Sequence, residues 1–216
     1  MKLPHEQVNH FSLAEEIWHA VTHGIGFVLS IVALALLVSF ATLSGSALHI
    51  TAAAIYGASL IVMYGSSTLY HALTHRKAKQ LFQKFDHSAI YFLIAGTYTP
   101  ILLITIGGTW GWTLFGIEWG IAVVGIAFKF IFPGRFEMAS LVAYVVMGWL
   151  IVFVFEIFKS NIDPVGFWLI VSGGIAYTSG ILFYVKDKVP YFHAIWHLFV
   201  MAGSILQFFA ILLYVV

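Results

Sequence analysis

From Ile17 to His75 the chain carries no Asp, Glu, Lys or Arg; long apolar runs are broken only by small, hydroxyl and aromatic residues and a few histidines. A helix crossing the hydrocarbon core of a bilayer needs about 20 apolar residues. The interval therefore holds two spans, with LSGSAL (43–48) as the turn between them. The same reading carried to the C-terminus predicts seven spans, at 20–42, 49–74, 87–106, 112–131, 138–158, 165–185 and 191–214. The fold class is all-α, an integral-membrane bundle of seven helices, and an odd number of spans puts the two termini on opposite sides.

Composition supports this: 61% of the 216 residues are hydrophobic and 9% charged, too apolar for a soluble domain of this length. Charge then sets the orientation, because Lys and Arg in short loops stay on the cytoplasmic side. With the N-terminus inside, Lys2, Arg76, Lys77, Lys79, Lys84, Lys129, Arg135, Lys186 and Lys188 are all cytoplasmic or at that boundary, and only Lys159 falls outside. The expected topology is N-in and C-out, with residues 1–19 as a cytoplasmic segment and 20–216 as one seven-span domain. The opening stretch MKLPHEQVNHFSLAEEIWHA lacks the charged start, short apolar core and small-residue cleavage site of a signal peptide. There is no cysteine, so a metal would have to be held by histidine and oxygen. The net charge of +1 gives no reason to expect nucleic acid; the expected partners are membrane lipids.

The histidines have a side. Under this topology all ten except His49 lie in the N-terminal segment or near cytoplasmic helix ends. His71 precedes Arg76 by five residues, and His193 and His197 follow Lys188 by five and nine, so the three sit at similar depths at about 1.5 Å of rise per residue. Asp86 opens the third span near the same level. HAIWH (193–197) puts two imidazoles four residues apart on one helical face, a spacing that can grip one metal ion. With His71 they would supply three zinc ligands and leave a fourth position for water. The competing account makes His193 and His197 interfacial residues reaching toward headgroups beside Tyr191 and Trp196.

SSTLYH (66–71), KFDH (84–87) and HAIWH (193–197) together resemble the three signature blocks of the hemolysin III family, within the larger group of adiponectin and progestin receptors and alkaline ceramidases. EEIWHAVTHGIG (15–26) and LIAGTYTP (93–100) are similar to the bacterial branch, and the likeness covers the whole chain. The resemblance implies Zn2+ on His71, His193 and His197, Asp86 as the group that orients or deprotonates a zinc-bound water, Ser67 as a hydrogen-bond partner, and a bacterial inner-membrane location. Serine in a spanning helix also bonds its own backbone, and Asp86 also suits a helix N-terminus. Near the place of His19 the resemblance implies asparagine, so the chain departs there.

Other polar positions carry weaker expectations. Glu15, His19 and His23 recur every four residues and line one face of the first helix, as part of the same vestibule or as a second network that includes a further ligand. His75 and His87 are expected at the interface, and His5 and His10 in solvent. Glu118 is either an intramembrane carboxylate or an outer-interface residue, and Glu156 is placed to pair with Lys159. Pro100 should kink the third span, with Thr97 and Thr99 satisfying freed backbone groups. Ser172, Ala176 and Gly180 are expected to form a packing seam on the sixth.

The leading functional expectation is a zinc-dependent membrane hydrolase acting on a lipid-like amide or ester from the cytoplasmic side. The alternatives are a non-enzymatic membrane sensor, or modulator of membrane lipid state and energetics, in which zinc is structural, and a pore. A chain that is almost entirely membrane-spanning argues against the last.

Overall fold

The computed structural model describes residues 11–43 and 45–216; Lys2, His5 and His10 lie outside the described residues. It contains seven helices long and apolar enough to cross a membrane, in the order the hydropathy pattern predicts. Their runs are α1 (Leu13–Leu43), α2 (Ala47–Ala72), α3 (Arg76–Pro100) continued by a π-helical turn (Ile101–Ile106), and α4 (Gly108–Ile131). The fifth span is built from α5 (Glu137–Gly148), a 3-10 helix (Leu150–Val154) and α6 (Phe155–Asn161), and the last two are α7 (Pro164–Tyr184) and α8 (Phe192–Tyr214). Neighbours in sequence pack together, and α8 closes the bundle by touching α1 as well as α7.

Two helices begin well before their apolar runs. α1 starts at Leu13, so the expected boundary at residue 19 falls inside it. SLAE (12–15) forms a capping box: the Ser12 backbone N–H donates to Glu15 Oε2 (2.9 Å) and the Glu15 N–H to Ser12 Oγ (3.3 Å). α3 starts at Arg76, capped by His75, whose Nδ1 accepts from the Ala78 N–H (3.4 Å). A helix continues past the hydrocarbon boundary where its polar residues find water or partners, which hydropathy alone does not register.

Two spans, the third and the fifth, depart from α geometry along their length. Pro100 has no N–H for the Gly96 carbonyl, and after it the ladder widens into the π-helical turn, which ends at Gly107 with φ +62°. Thr97 and Thr99 donate to Leu93 O (2.7 Å) and Ala95 O (2.8 Å), each one turn back. In the fifth span, Tyr98 of α3 enters the break after Gly148: its hydroxyl donates to Gly148 O (2.8 Å) and accepts from Ile151 N (3.3 Å). A buried hydroxyl thus replaces the lost backbone partners.

The seam on α7 differs from the expected one. Ser172 is exposed, while Gly166, Gly173 and Gly180, seven residues apart, are buried. A Cβ at these positions would come within 2.8 Å of Tyr214, 2.6 Å of Gln207 and 2.8 Å of Phe199, all on α8. The close approach follows a seven-residue spacing, of which the four-residue pattern contained only Gly180. Glu156 and Lys159 form no ion pair among the described residues, and Lys159 instead lines a cavity beside α6.

Candidate metal centre

The site lies where α1, α2 and α8 meet near their shared polar end. His71 ends α2, and His193 and His197 occupy the first two turns of α8 on one face. All three are buried, and one donor atom from each comes within 4.8 Å of the others. The expected triad is therefore assembled in space, from segments far apart in sequence.

Partners on α1 set how the rings are presented. Glu16 Oε2 lies 2.6 Å from His71 Nδ1, and Glu16 Oε1 lies 2.9 Å from Lys79 Nζ. Lys79 is itself buried, donates to Tyr70 O (2.9 Å) and sits 4.8 Å from the centre of the Tyr70 ring. A carboxylate only accepts, so His71 holds its proton on Nδ1 and leaves Nε2 with a lone pair. The same logic fixes His197. Thr22 Oγ1 gives its hydrogen to Trp18 O (2.8 Å) or His19 O (3.0 Å), so it accepts from His197 Nδ1 (3.2 Å). Nε2 of His71, Nε2 of His197 and both nitrogens of His193 are buried with no hydrogen-bond partner among the described residues. Buried polar nitrogens without partners are costly in a finished core, and a cation would engage one lone pair on each ring. This is the arrangement of metal-binding histidines, whose second ring nitrogen usually donates to a carboxylate or other oxygen.

Glu16 and Thr22 carry no expectation of their own in the sequence, and Lys79 only one of topology. Glu16, His19 and His23 stand at i, i+3 and i+7, one stripe of a helix, and that spacing was the available signal. Glu15 lies off this stripe. It caps α1, and its Oε1 accepts from the Tyr191 N–H (3.0 Å), tying the start of α1 to that of α8. His19, 0% exposed, belongs to a second donor group with Glu16 and His71. His23 Nδ1 is 2.7 Å from Ser67 Oγ, and the His23 ring stacks on His197 at 3.5 Å and 9°. Ser67 thus stands one residue removed from the triad, behind His23.

Asp86 is half-buried and falls in neither donor group. His87 belongs to another cluster at this end, where Glu137 lies 2.6 Å from Lys129 and 3.8 Å from the His87 ring. Glu118 is far from an interface: α4 begins ten residues before it, and it is 0% exposed with neither carboxylate oxygen partnered among the described residues.

The sequence profile described as Haemolysin-III related matches residues 11–208. "Hemolysin-3" of Bacillus cereus is 49% identical over 201 residues, covering 93% of this chain and 92% of the relative. "Hemolysin-3 homolog" of Bacillus subtilis (strain 168) is 48% identical, covering 95% and 97%. The human "Monocyte to macrophage differentiation factor" is 30% identical, covering 73% and 67%. Seven spans, the inward-turned histidines of α2 and α8, the profile match over residues 11–208 and the likeness to the two Bacillus proteins over most of the chain establish that the chain belongs to the Haemolysin-III related family.

Proposed function

We propose that the chain is a zinc-dependent hydrolase of a bacterial inner membrane, cleaving an amide or ester of a lipid-like substrate that enters from the cytoplasmic leaflet. One observation carries this: three buried imidazoles converge within 4.8 Å, and the partners of His71 and His197 leave Nε2 of each as the donor. Bound there, Zn2+ supplies a Lewis acid for a carbonyl oxygen and lowers the pKa of a water. Glu16 and Thr22 hold the rings in register, and the burial of the triad keeps bulk water out. Ser67 acts on the site through His23, whose ring stacks on His197, and Asp86 is the proton acceptor on the α3 side.

The lipid-like substrate is supported by the space next to the triad. A cavity of about 120 Å³ between α3, α5, α7 and α8 is lined mainly by apolar and aromatic side chains, among them Trp149, Tyr184 and Trp196. Trp196 also touches His193, with ring centres 5.0 Å apart. A second cavity of about 250 Å³ shares Thr97, Tyr98, Trp149 and Gln207 with the first and extends along the broken fifth span. This apolar space would take an acyl chain, with Trp196 standing between it and His193.

A second interpretation, a non-enzymatic membrane protein with structural zinc, draws on the place of Asp86 outside both donor groups. Metal analysis of the detergent-purified protein and turnover of fluorescent lipid amides and esters separate the two. The hydrolase is expected to carry about one zinc per chain. It should lose metal and turnover together in the His193→Ala, His197→Ala double variant. Full turnover after His193→Ala and complete metal removal would sink the mechanism, and zinc without turnover of either ester or amide would favour the structural role.

A further inference from the structure

We infer that His19 is a fourth nitrogen ligand of the ion proposed above, so that the resting centre is a closed four-histidine site built from α1, α2 and α8. This rests on the metal-binding part of the proposed function and concerns what occupies the position that a hydrolytic water would need.

The ring positions carry the inference. The centre of the His19 ring lies 4.7 Å from His71, 4.8 Å from His193 and 5.2 Å from His197. Within the triad the separations are 5.4, 5.3 and 4.8 Å. Four points almost equally far from one another are the corners of a tetrahedron. With Zn–N bonds of about 2.0–2.1 Å and a ring centre about 1.2 Å beyond each nitrogen, four imidazoles on one tetrahedral ion have centres about 5.3 Å apart. All six observed separations fall close to that figure. The rings are also mutually inclined, by 54° to 66°, as planes radiating from a common point are.

His23 shows what a neighbouring histidine outside the coordination sphere looks like. It comes from the same helix face, one turn further on, but lies parallel to His197 at 3.5 Å, too close for two ligands of one tetrahedral ion, and its Nδ1 is engaged with Ser67. His19 instead stands edge-on beneath Phe11, with ring centres 4.7 Å apart at 78°. Its donor atoms group with those of Glu16 and His71 rather than with the whole triad. A turn of the ring about its Cβ–Cγ bond redirects a nitrogen while moving the ring centre little. Glu16, already engaged by His71 and Lys79, remains an outer carboxylate that offsets part of the buried positive charge.

Four protein ligands make a closed zinc site, whereas three plus an exchangeable position make a hydrolytic one. Hydrolysis at this centre would therefore require His19 to step off the ion.

The test is performed on the full-length protein in detergent, loaded with zinc for X-ray absorption and with cobalt(II) for visible spectroscopy under azide titration. Wild type, His19→Asn and His19→Ala are compared. Expected for wild type are four imidazole nitrogens on zinc and a cobalt spectrum that azide does not move. The same titration should shift the spectrum of both variants, and their zinc affinity should be at least tenfold weaker. Three imidazoles plus an oxygen in wild type, with an azide-sensitive cobalt spectrum, would overturn the inference and leave the hydrolase proposal standing. Four nitrogens retained in His19→Asn would assign the fourth ligand elsewhere and also overturn it. A wild-type protein that takes up neither metal would defeat both proposals. Because the wild-type ligand count decides the matter without a variant, a folding defect at position 19 does not obscure the outcome.

Discussion

Glu16 has two jobs through two oxygens, holding the His71 proton on Nδ1 and neutralising Lys79 in a place that water barely reaches. Outer carboxylates of this kind typically change metal affinity about 10–100-fold when removed. Glu16→Gln keeps the shape and loses the charge, so zinc affinity measured by chelator competition is expected to fall within that range. An unchanged affinity would show that Thr22 and the helix packing suffice to orient the triad. Glu15, adjacent in sequence, points to a different task because one residue is a 100° step around a helix. It caps α1 and holds the backbone of Tyr191, whose φ of +63° starts α8.

At the scale of elements, α1 packs with α2 and α8 to form the site, and α7 packs against α8. The pairing of α7 with α8 is set by backbone approach at Gly166, Gly173 and Gly180. At Gly173 an added Cβ would meet Gln207 Cγ at 2.6 Å and the Gly203 carbonyl oxygen at 3.1 Å, and the carbonyl cannot move without its helix. Overpacking of this kind costs about 1–3 kcal/mol, and for a chain of this size each kcal/mol shifts Tm by about 2–4 °C. Gly173→Val is thus expected to lower Tm by several degrees in a fluorescence-detected melt. Gly174→Ala, whose Cβ would meet Trp149 only at 3.9 Å, should leave it nearly unchanged. Equal losses at both positions would mean that helix propensity, rather than the seam, governs the effect.

Across the whole molecule, most of the described ionisable side chains gather at the end of the bundle holding the histidines, a few such as Glu156, Lys159 and Asp163 lie at the other end, and Glu118 stands between the two. It sits at the middle of α4, on the buried stripe that includes Leu114, Ala122, Gly125 and Lys129. An intramembrane carboxyl without partners is expensive. Glu118→Gln preserves its shape and removes its ionisation, so Tm is expected to hold or rise by a few degrees. A clear fall would reveal that the carboxylate carries a bond or an ion essential to the bundle.

The number and order of the spans follow from hydropathy alone, because lipid forbids unsatisfied backbone and so converts every long apolar run into a helix. The spacing of HAIWH likewise put His193 and His197 on one face, since helical geometry is local. What the sequence could not determine was everything that depends on which helices meet. The capping box extended α1 into the site, bringing Glu16, His19 and Thr22 up to rings on α2 and α8 from 55 to 175 residues away. The entry of Tyr98 into the broken fifth span and the glycine seam on α7 were decided by packing. Each is a contact between residues distant in the chain, and only the tertiary arrangement of the helices brings them within a few ångströms.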